Sequence, residues 1–373
     1  MKNRPDYTLI TATADMHTAT HGNRAKCLQR LVRLGLPVPL TAALSFDAVR
    51  QIAQGVVPDL APLWAEFGPH ALVSVRSSSQ AADWGGPGTV LNIGMNDELA
   101  EHLAKVHGRC SADQLYVNFI RAYAVDVLRL DADEFEGQLT PRIAKDHFED
   151  EAEEAFPQDP AVQLREVLRS MARAWEGTTA RLLRQAQGAP ADAGLGLVVQ
   201  RMALGVGEGV SGSGIVQMID PDTGDADVIG RFVPQAQGRV ALRDDDALYI
   251  RSDARGHSLQ DAAPEAYHDL IAAGALMREK LREEMQIEFT LMNGQLNILD
   301  AVRAPRSARA AVATVVNLAN DGVISRGEAL SRIPPFSLGQ LLHRQVDAEA
   351  PRDVLGRGIA AAPGAATGKI VFS

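Results

Sequence analysis

The chain has 373 residues, of which 46% are apolar and 23% are charged, and these proportions are ordinary for a globular protein with more than one domain. Its formal net charge of −10 argues against general binding of nucleic acid, because a phosphate backbone requires a basic surface. The sequence contains no run of 18 apolar residues and no signal-peptide core, so we expect no membrane segment and a cytoplasmic location. Cys27 and Cys110 are the 2 cysteines, and we expect both to be reduced and buried.

The first part of the chain mixes helical and β patterns. Leucines with helical spacing ahead of Gly35 predict a helix over 22–35, and "ALVSVRSSS" at 71–79 predicts a strand. Arg76 lies at the end of this strand beside small hydroxyl residues, and the planar guanidinium fork matches phosphate oxygens. Arg76 is therefore a candidate phosphate ligand, and the alternative is a surface arginine paired with a carboxylate.

Helical periodicity dominates residues 112 to about 186, and short β-branched segments follow it. "IEFTLM", Asn293-Gly294 and "QLNIL" together predict a β-hairpin. Helical patterns occur again over 264–285 and 308–332.

Two features of the second β-rich region are candidates for ligand binding. The loop "GVGEGVSGSG" at 205–214 has five glycines, which would let backbone N–H groups approach a phosphate, although it matches neither the Walker A nor the Rossmann pattern. Its alternative is a plain flexible hairpin loop. Glu288 and Asp300 lie on the two hairpin strands and could hold Mg²⁺ through oxygen ligands, and the alternative is a pair of exposed edge charges.

Many sequence blocks occur in an order that resembles one family. They run from "RLGLPVPLTAALSFDA" through "VSVRSSS", "FIRAYAVDVLRLDADEFEG" and "VVQRMALGV" to "SGSGIVQMIDPDTG", "MQIEFTLMNGQLNILDAVR" and "GIAAAPGAATGKIVFS". The chain thereby resembles pyruvate, phosphate dikinase, which interconverts ATP, phosphate and pyruvate with AMP, pyrophosphate and phosphoenolpyruvate. The resemblance implies α/β and α+β structure in an ATP-grasp-like, two-lobed nucleotide-binding fold with a helical insert.

The resemblance also implies a division of the chain into five parts. They are a first ATP-grasp-like lobe (1–110), the helical insert (111–189), a second lobe (190–305), a helical connector (306–350) and a first strand of the swivelling phosphohistidine domain (351–373). The carrier histidine and the pyruvate-binding domain would lie beyond the last residue. A lone strand at 351–373 would pack on its own body or pair with a second copy in a homodimer.

The resemblance assigns roles to individual residues. Arg24 falls where the family has an ATP-binding lysine, and Arg24 and Arg76 are the expected catalytic cations. Glu288 and Asp300 are the expected Mg²⁺ ligands. The residues expected to contact ATP or AMP are Gly207, Gly209, Ser211, Gly212, Ser213, Gly214, Gln200, Met202 and Asp300.

Several departures from the family pattern concern charge. Ile219 and Val302 stand where the family has arginines, Gln286 and Arg231 where it has acids, and Asp300 where it has a glutamine. Phosphoryl transfer depends on positioning and on charge stabilisation, so we expect weak catalysis. The sequence therefore favours a module that binds a nucleotide or another phosphorylated small molecule. The alternative is an active ATP-dependent phosphotransferase that acts on a histidine or another acceptor supplied in trans.

Overall fold

The computed structural model describes residues 7–81, 84–238, 247–253, 256–341, 351, 353–356 and 367–368. The strands are β1 (Tyr7–Leu9), β2 (Thr41–Leu44), β3 (Val73–Ser79), β4 (Val90–Ile93), β5 (Leu195–Arg201), β6 (Gly212–Ile219), β7 (Ala226–Pro234), β8 (Leu248–Tyr249), β9 (Met285–Met292) and β10 (Gln295–Arg303). The α-helices are α1 (Thr18–Arg33), α2 (Phe46–Ala53), α3 (Ala61–Phe67), α4 (Asp97–His107), α5 (Arg109–Ala122), α6 (Pro141–Ala152), α7 (Pro160–Glu176), α8 (Thr178–Ala186), α9 (Leu259–Ala262), α10 (Pro264–Leu281), α11 (Ala308–Asn320), α12 (Arg326–Ser331) and α13 (Pro335–Gln340).

The first sheet has the strand order β1-β2-β5-β3-β4. Within it, β3 and β5 are antiparallel neighbours, and they pair from Val73 opposite Arg201 to Ser79 opposite Leu195. The strand β5 is buried along all but its last residue, as expected for a central strand rich in β-branched and aliphatic residues. This pairing fixes the position of Arg76 opposite Val198.

The second sheet has the order β10-β9-β6-β7-β8. The strands β9 and β10 are joined by Asn293 and Gly294, which have φ values of 51° and 76°. Positive φ at both central residues is typical of a tight hairpin turn that follows strand twist. The predicted hairpin is confirmed, and it carries Glu288 and Asp300 on its two strands.

Helices pack on the first sheet to form one continuous apolar core. This core joins strand residues such as Val75 and Val199 with residues of the helical region such as Phe119, Leu168 and Trp175. A cluster of aromatic rings around Phe156 reinforces it. The helical region predicted over 111–189 is thus helical in the structure, and its side chains complete the core under the sheet.

The chain divides into two compact units. The first comprises 1–216, 230–276 and 287–302, and the second comprises 217–229, 277–286 and 303–373. In the second unit, a small apolar cluster is formed by Val315, Leu318, Ile324 and Ala329. Ion pairs of Glu283 with Arg303 and Arg306 also lie in that unit.

The structure supports the coarse fold prediction. The chain is a mixed α and β protein with two five-stranded sheets, which agrees with α+β structure, whereas the ATP-grasp-like relationship and the five domain boundaries stay predictions. Of the strand predicted over 351–373, most residues lie outside the described part of the chain. None of the helices among the described residues combines the length and the apolar character that a membrane crossing needs.

Candidate functional site

A glycine brings the start of α1 unusually close to β3. Gly22 interrupts the helical geometry with φ of 84°, and a Cβ placed on it would lie 1.9 Å from the carbonyl oxygen of Ser78. The hydroxyl of Ser78 accepts a hydrogen bond from the backbone N–H of Ala25 at 3.1 Å and donates to the carbonyl of His21 at 2.7 Å. This close approach places Arg24 beside the strand that carries Arg76.

Replacing Gly22 with alanine should therefore destabilise the protein. The new methyl group would overlap backbone atoms at a left-handed φ, and overpacking of this kind costs about 1–3 kcal/mol or more. Urea unfolding measures the loss. Gly35→Ala is the matched control, because Gly35 has φ of 71° but open space around it. Equal losses in the two variants would contradict a specific role for the contact with Ser78.

Arg24 forms an ion pair with Asp300. Its Nε donates to Oδ2 of Asp300 at 2.8 Å, and its Nη1 donates to the carbonyl of Ser77. About a quarter of the Arg24 side chain is exposed, whereas Asp300 is buried. Burial by itself raises the pKa of Asp300, but the charges of Arg24 and then Arg76 outweigh it and hold that pKa below its usual range. Burial would likewise lower the pKa of Arg24, but the charge of Asp300 raises it.

Arg76 forms a second and deeper ion pair with Glu288. Its Nη2 donates to Oε1 of Glu288 at 2.8 Å, and the exposed fractions of the two side chains are 5% and 10%. The alternative for Arg76 is half right, because Arg76 is paired with a carboxylate but does not lie at the surface. The alternative of exposed edge charges is wrong, because Glu288 and Asp300 are buried. The charge of Glu288 also raises the pKa of Arg24, and the charge of Arg76 lowers the pKa of Asp300. The two ion pairs therefore form one four-charge cluster.

A small cavity adjoins Arg76. Its lining includes Gln200, Met202 and Ser213, together with Ser74 and Thr290. Its volume is about 20 Å³, which is room for about one water molecule. The structure thus brings three of the predicted nucleotide contacts together beside the predicted phosphate ligand.

The side chains around this cavity are held by further polar contacts. Gln200 donates to the hydroxyl of Thr41 at 3.1 Å, and the backbone N–H of Asn92 donates to the sulfur of Met202 at 3.0 Å. The hydroxyls of Ser213 and Thr290 are 3.1 Å apart. Within the described residues, the buried Nε of Arg76 has no hydrogen-bond partner.

The glycine-rich loop is held in place by its neighbours. Gln235 accepts from the N–H of Gly207 and donates to its carbonyl, each at 2.9 Å. The hydroxyl of Ser211 accepts from the backbone N–H of Asn293 at 2.9 Å. Because Gln235 already uses the Gly207 N–H, that group would have to exchange partners before it could bind a phosphate.

Close packing explains the need for glycine at three positions of the loop and of β6. A Cβ would lie 2.3 Å from Oδ1 of Asn293 at Gly209 and 2.3 Å from the carbonyl of Val233 at Gly212. At Gly214 it would lie 2.4 Å from the ring of Phe289. These glycines serve packing, whatever part the loop has in binding.

The carboxylates were also predicted to hold Mg²⁺, and their arrangement fits that ion poorly. Each is already bonded to a guanidinium at 2.8 Å. No group of three His, Cys, Asp or Glu residues that could surround a metal occurs in the described part of the chain. The Mg²⁺ site therefore stays a prediction that the geometry does not favour.

Two of the substituted positions, Ile219 and Val302, carry no charge, and another, Arg231, keeps its charge beside an aromatic ring. Ile219 is 3% exposed, and Val302 is half-buried. The guanidinium of Arg231 lies 4.3 Å from the centre of the Tyr249 ring. Arg231 is thus engaged in a cation–π contact.

The sequence prediction missed Ser77 and Ser78 as positioning groups. Ser77 accepts from Arg24 through its carbonyl, and Ser78 anchors the start of α1. The run of three serines after Arg76 was the available signal, but it does not show which segment those serines contact.

Neither cysteine is fully buried, which corrects the prediction that both are, and Cys27 is half-buried. Cys110 is exposed, because it lies in the first turn of α5 on the side away from the core. Cys27 donates to the carbonyl of Ala301 at 3.0 Å, and burial raises its pKa to about 12. Cys110 should thus react quickly with a disulfide reagent and Cys27 slowly, and Cys110→Ser should abolish the fast phase. Two fast thiols in the native protein would contradict this.

Comparison with known proteins supports the resemblance seen in the sequence. No family model matches the chain. Pyruvate, phosphate dikinase of Rhizobium meliloti (strain 1021) is 31% identical over 94% of this chain and 44% of that protein. The Clostridium symbiosum enzyme of the same name is 28% identical over 94% of this chain and 45% of that protein. That of Rickettsia prowazekii (strain Madrid E) is 30% identical over 81% and 37%.

The chain spans somewhat less than half the length of these relatives, at 44% and 45% for the first two. The resemblance predicted from the sequence is therefore confirmed, and this chain is a homologue of the pyruvate, phosphate dikinase family over 94% of its residues.

Proposed function

We propose that this chain binds a nucleotide, ATP or AMP, or another phosphorylated small molecule at the four-charge cluster, and that it transfers phosphate weakly or not at all. The observation that carries the proposal is the convergence of Arg24 and Arg76 at one buried site. The family resemblance places Arg24 where an ATP-binding lysine is expected, and it makes both arginines the expected catalytic cations. Gln200, Met202 and Ser213 line the cavity beside Arg76, as a nucleotide site would require.

Ligand entry requires the site to open. Small-molecule sites usually have about 300–1,000 Å³, whereas this cavity has about 20 Å³. A phosphate can displace a carboxylate from an arginine because both present two oxygens that can accept the parallel N–H bonds of the planar guanidinium. We propose that Arg24 is the entry point, since it is the more exposed of the two arginines.

Weak catalysis follows from the substitutions. Loss of one transition-state donor typically costs about 10²–10³ in rate, and loss of an arginine finger about 10³–10⁵. Ile219 and Val302 provide no charge in place of two family arginines. The loss of two arginines should lower the rate by more than Arg24, which stands where the family has a lysine, could restore.

Calorimetric titration with AMP and ATP tests the binding part of the proposal. We expect saturable binding, and Arg24→Gln should weaken it about 10- to 100-fold, the scale of a charge-assisted hydrogen bond. Arg30→Gln is the matched control, because Arg30 is an exposed arginine on the same helix. Equal affinity in wild type and Arg24→Gln would place the ligand elsewhere, and absence of binding by wild type would reject the proposal that the site binds a nucleotide.

A further inference from the structure

We infer that the site takes its phosphorylated ligand without a divalent cation, and that the Asp300 carboxylate limits affinity by occupying the place of a ligand phosphate at Arg24. This inference rests on the proposed function and specifies how the same site works. It is drawn from the two ion pairs and from their burial.

The first step is the balance of charge. Two guanidiniums and two carboxylates make the cluster neutral before any ligand arrives, and each pair has an N–O distance of 2.8 Å. Mg²⁺ binds carboxylates through direct contacts of about 2.0–2.1 Å. A doubly charged ion at these carboxylates would therefore lie next to two cations, in a buried site where repulsion is weakly screened.

The second step is the supply of ligands. Mg²⁺ demands near-octahedral oxygen coordination, and it usually draws one or two carboxylates from the protein. Here both carboxylates already serve an arginine, and the described residues provide no third acid with them. A phosphate ligand, in contrast, needs only the arginines.

The third step is the position of Asp300. Its Oδ2 accepts from Nε of Arg24, its Oδ1 accepts from the backbone N–H of Ala301 at 2.9 Å, and the side chain is 1% exposed. The carboxylate is thus fixed in a bonding position that a phosphate oxygen would use. Binding must break this pair and leave a buried carboxylate beside an incoming anion.

Asparagine at position 300 keeps the size of the side chain and removes its charge. In Asp300→Asn, Arg24 keeps the carbonyl of Ser77 as a hydrogen-bond partner, and about a quarter of its side chain is exposed. The protein should therefore tolerate the charge of Arg24 without a paired carboxylate. Asp300→Asn should therefore fold and should bind an anion more tightly than wild type. Asp97→Asn is the matched control, because Asp97 pairs with Lys145 in the helical region.

The experiment is a calorimetric titration of wild type, Asp300→Asn and Asp97→Asn with AMP and ATP, in EDTA and in excess MgCl₂. Wild type should bind AMP equally in both buffers and ATP no more tightly with Mg²⁺. Asp300→Asn should bind AMP about 10- to 100-fold more tightly than wild type in EDTA, and Asp97→Asn should match wild type.

Different failures point to different claims. Tenfold or greater tightening of wild-type binding by Mg²⁺ would overturn the inference and leave the proposed function standing, and this arm requires no variant. Unchanged AMP affinity in a folded Asp300→Asn protein would also overturn it. No binding of either nucleotide by any of the three proteins would reject nucleotide binding, the part of the proposed function on which this inference rests.

Discussion

Replacing Glu288 with glutamine is expected to lower the free energy of unfolding by about 3–5 kcal/mol, the cost of removing one partner from a buried ion pair. Arg76 would keep its charge while only 5% of its side chain is exposed, and the amide that replaces its partner is neutral. Its Nε already has no hydrogen-bond partner among the described residues, so the carboxylate of Asp300 in the four-charge cluster would be its remaining nearby counter-charge. Urea unfolding at neutral pH measures the effect.

Two controls separate this cost from a general weakening of the hairpin. Arg76→Met combined with Glu288→Met removes both charges, and the double variant should lose much less stability than the single one. Asp97→Asn breaks a pair in which Asp97 is 60% exposed, and should cost no more than about 1 kcal/mol. A loss below about 1 kcal/mol in Glu288→Gln would contradict a dry, buried pair.

Replacing Trp175 with alanine should cost about 3–5 kcal/mol, the usual range for a large aromatic side chain removed from a core. Trp175 is 2% exposed, and its indole N–H donates to the carbonyl of Ala193 at 3.1 Å. The guanidinium of Arg184 lies 3.6 Å from the ring centre and would lose its cation–π partner as well. Thermal and urea unfolding would report the loss.

The control for this variant is Leu182→Ala in the neighbouring helix α8. Leu182 is 62% exposed, so its truncation should change stability by no more than about 0.5 kcal/mol. A similar loss in both variants would indicate that the helical region is loosely packed on the sheet, contrary to the continuous core described above.

Local patterns predicted much of the fold. The apolar run at 71–79 located β3, and Asn293-Gly294 located the turn between β9 and β10, because these signals depend only on neighbouring residues. Candidate site residues were also found locally, since Arg76 and Glu288 both lie in strand patterns, although the structure places Arg76 within β3 and not at its end.

The partners of those residues could not be predicted in the same way. Arg24 and Asp300 are 276 positions apart, and Arg76 and Glu288 are 212 positions apart, so their pairing depends on the packing of distant segments. The sequence pattern therefore indicated two cations for phosphate and two acids for a metal, whereas the structure pairs each cation with an acid. The exposure of Cys110 was missed for a similar reason, because it depends on which side of α5 faces the core.

Phosphoryl transfer is the most direct test of the claim that this site binds without family-type catalysis. The chain would be incubated with Mg²⁺, ATP labelled at the β or γ phosphate, and a separately expressed phosphohistidine domain from a working pyruvate, phosphate dikinase, with that enzyme's own nucleotide region as the positive control. Our account predicts no label on the histidine above the rate found without the chain. Label appearing at a rate near that of the positive control would contradict it and would favour an active phosphotransferase.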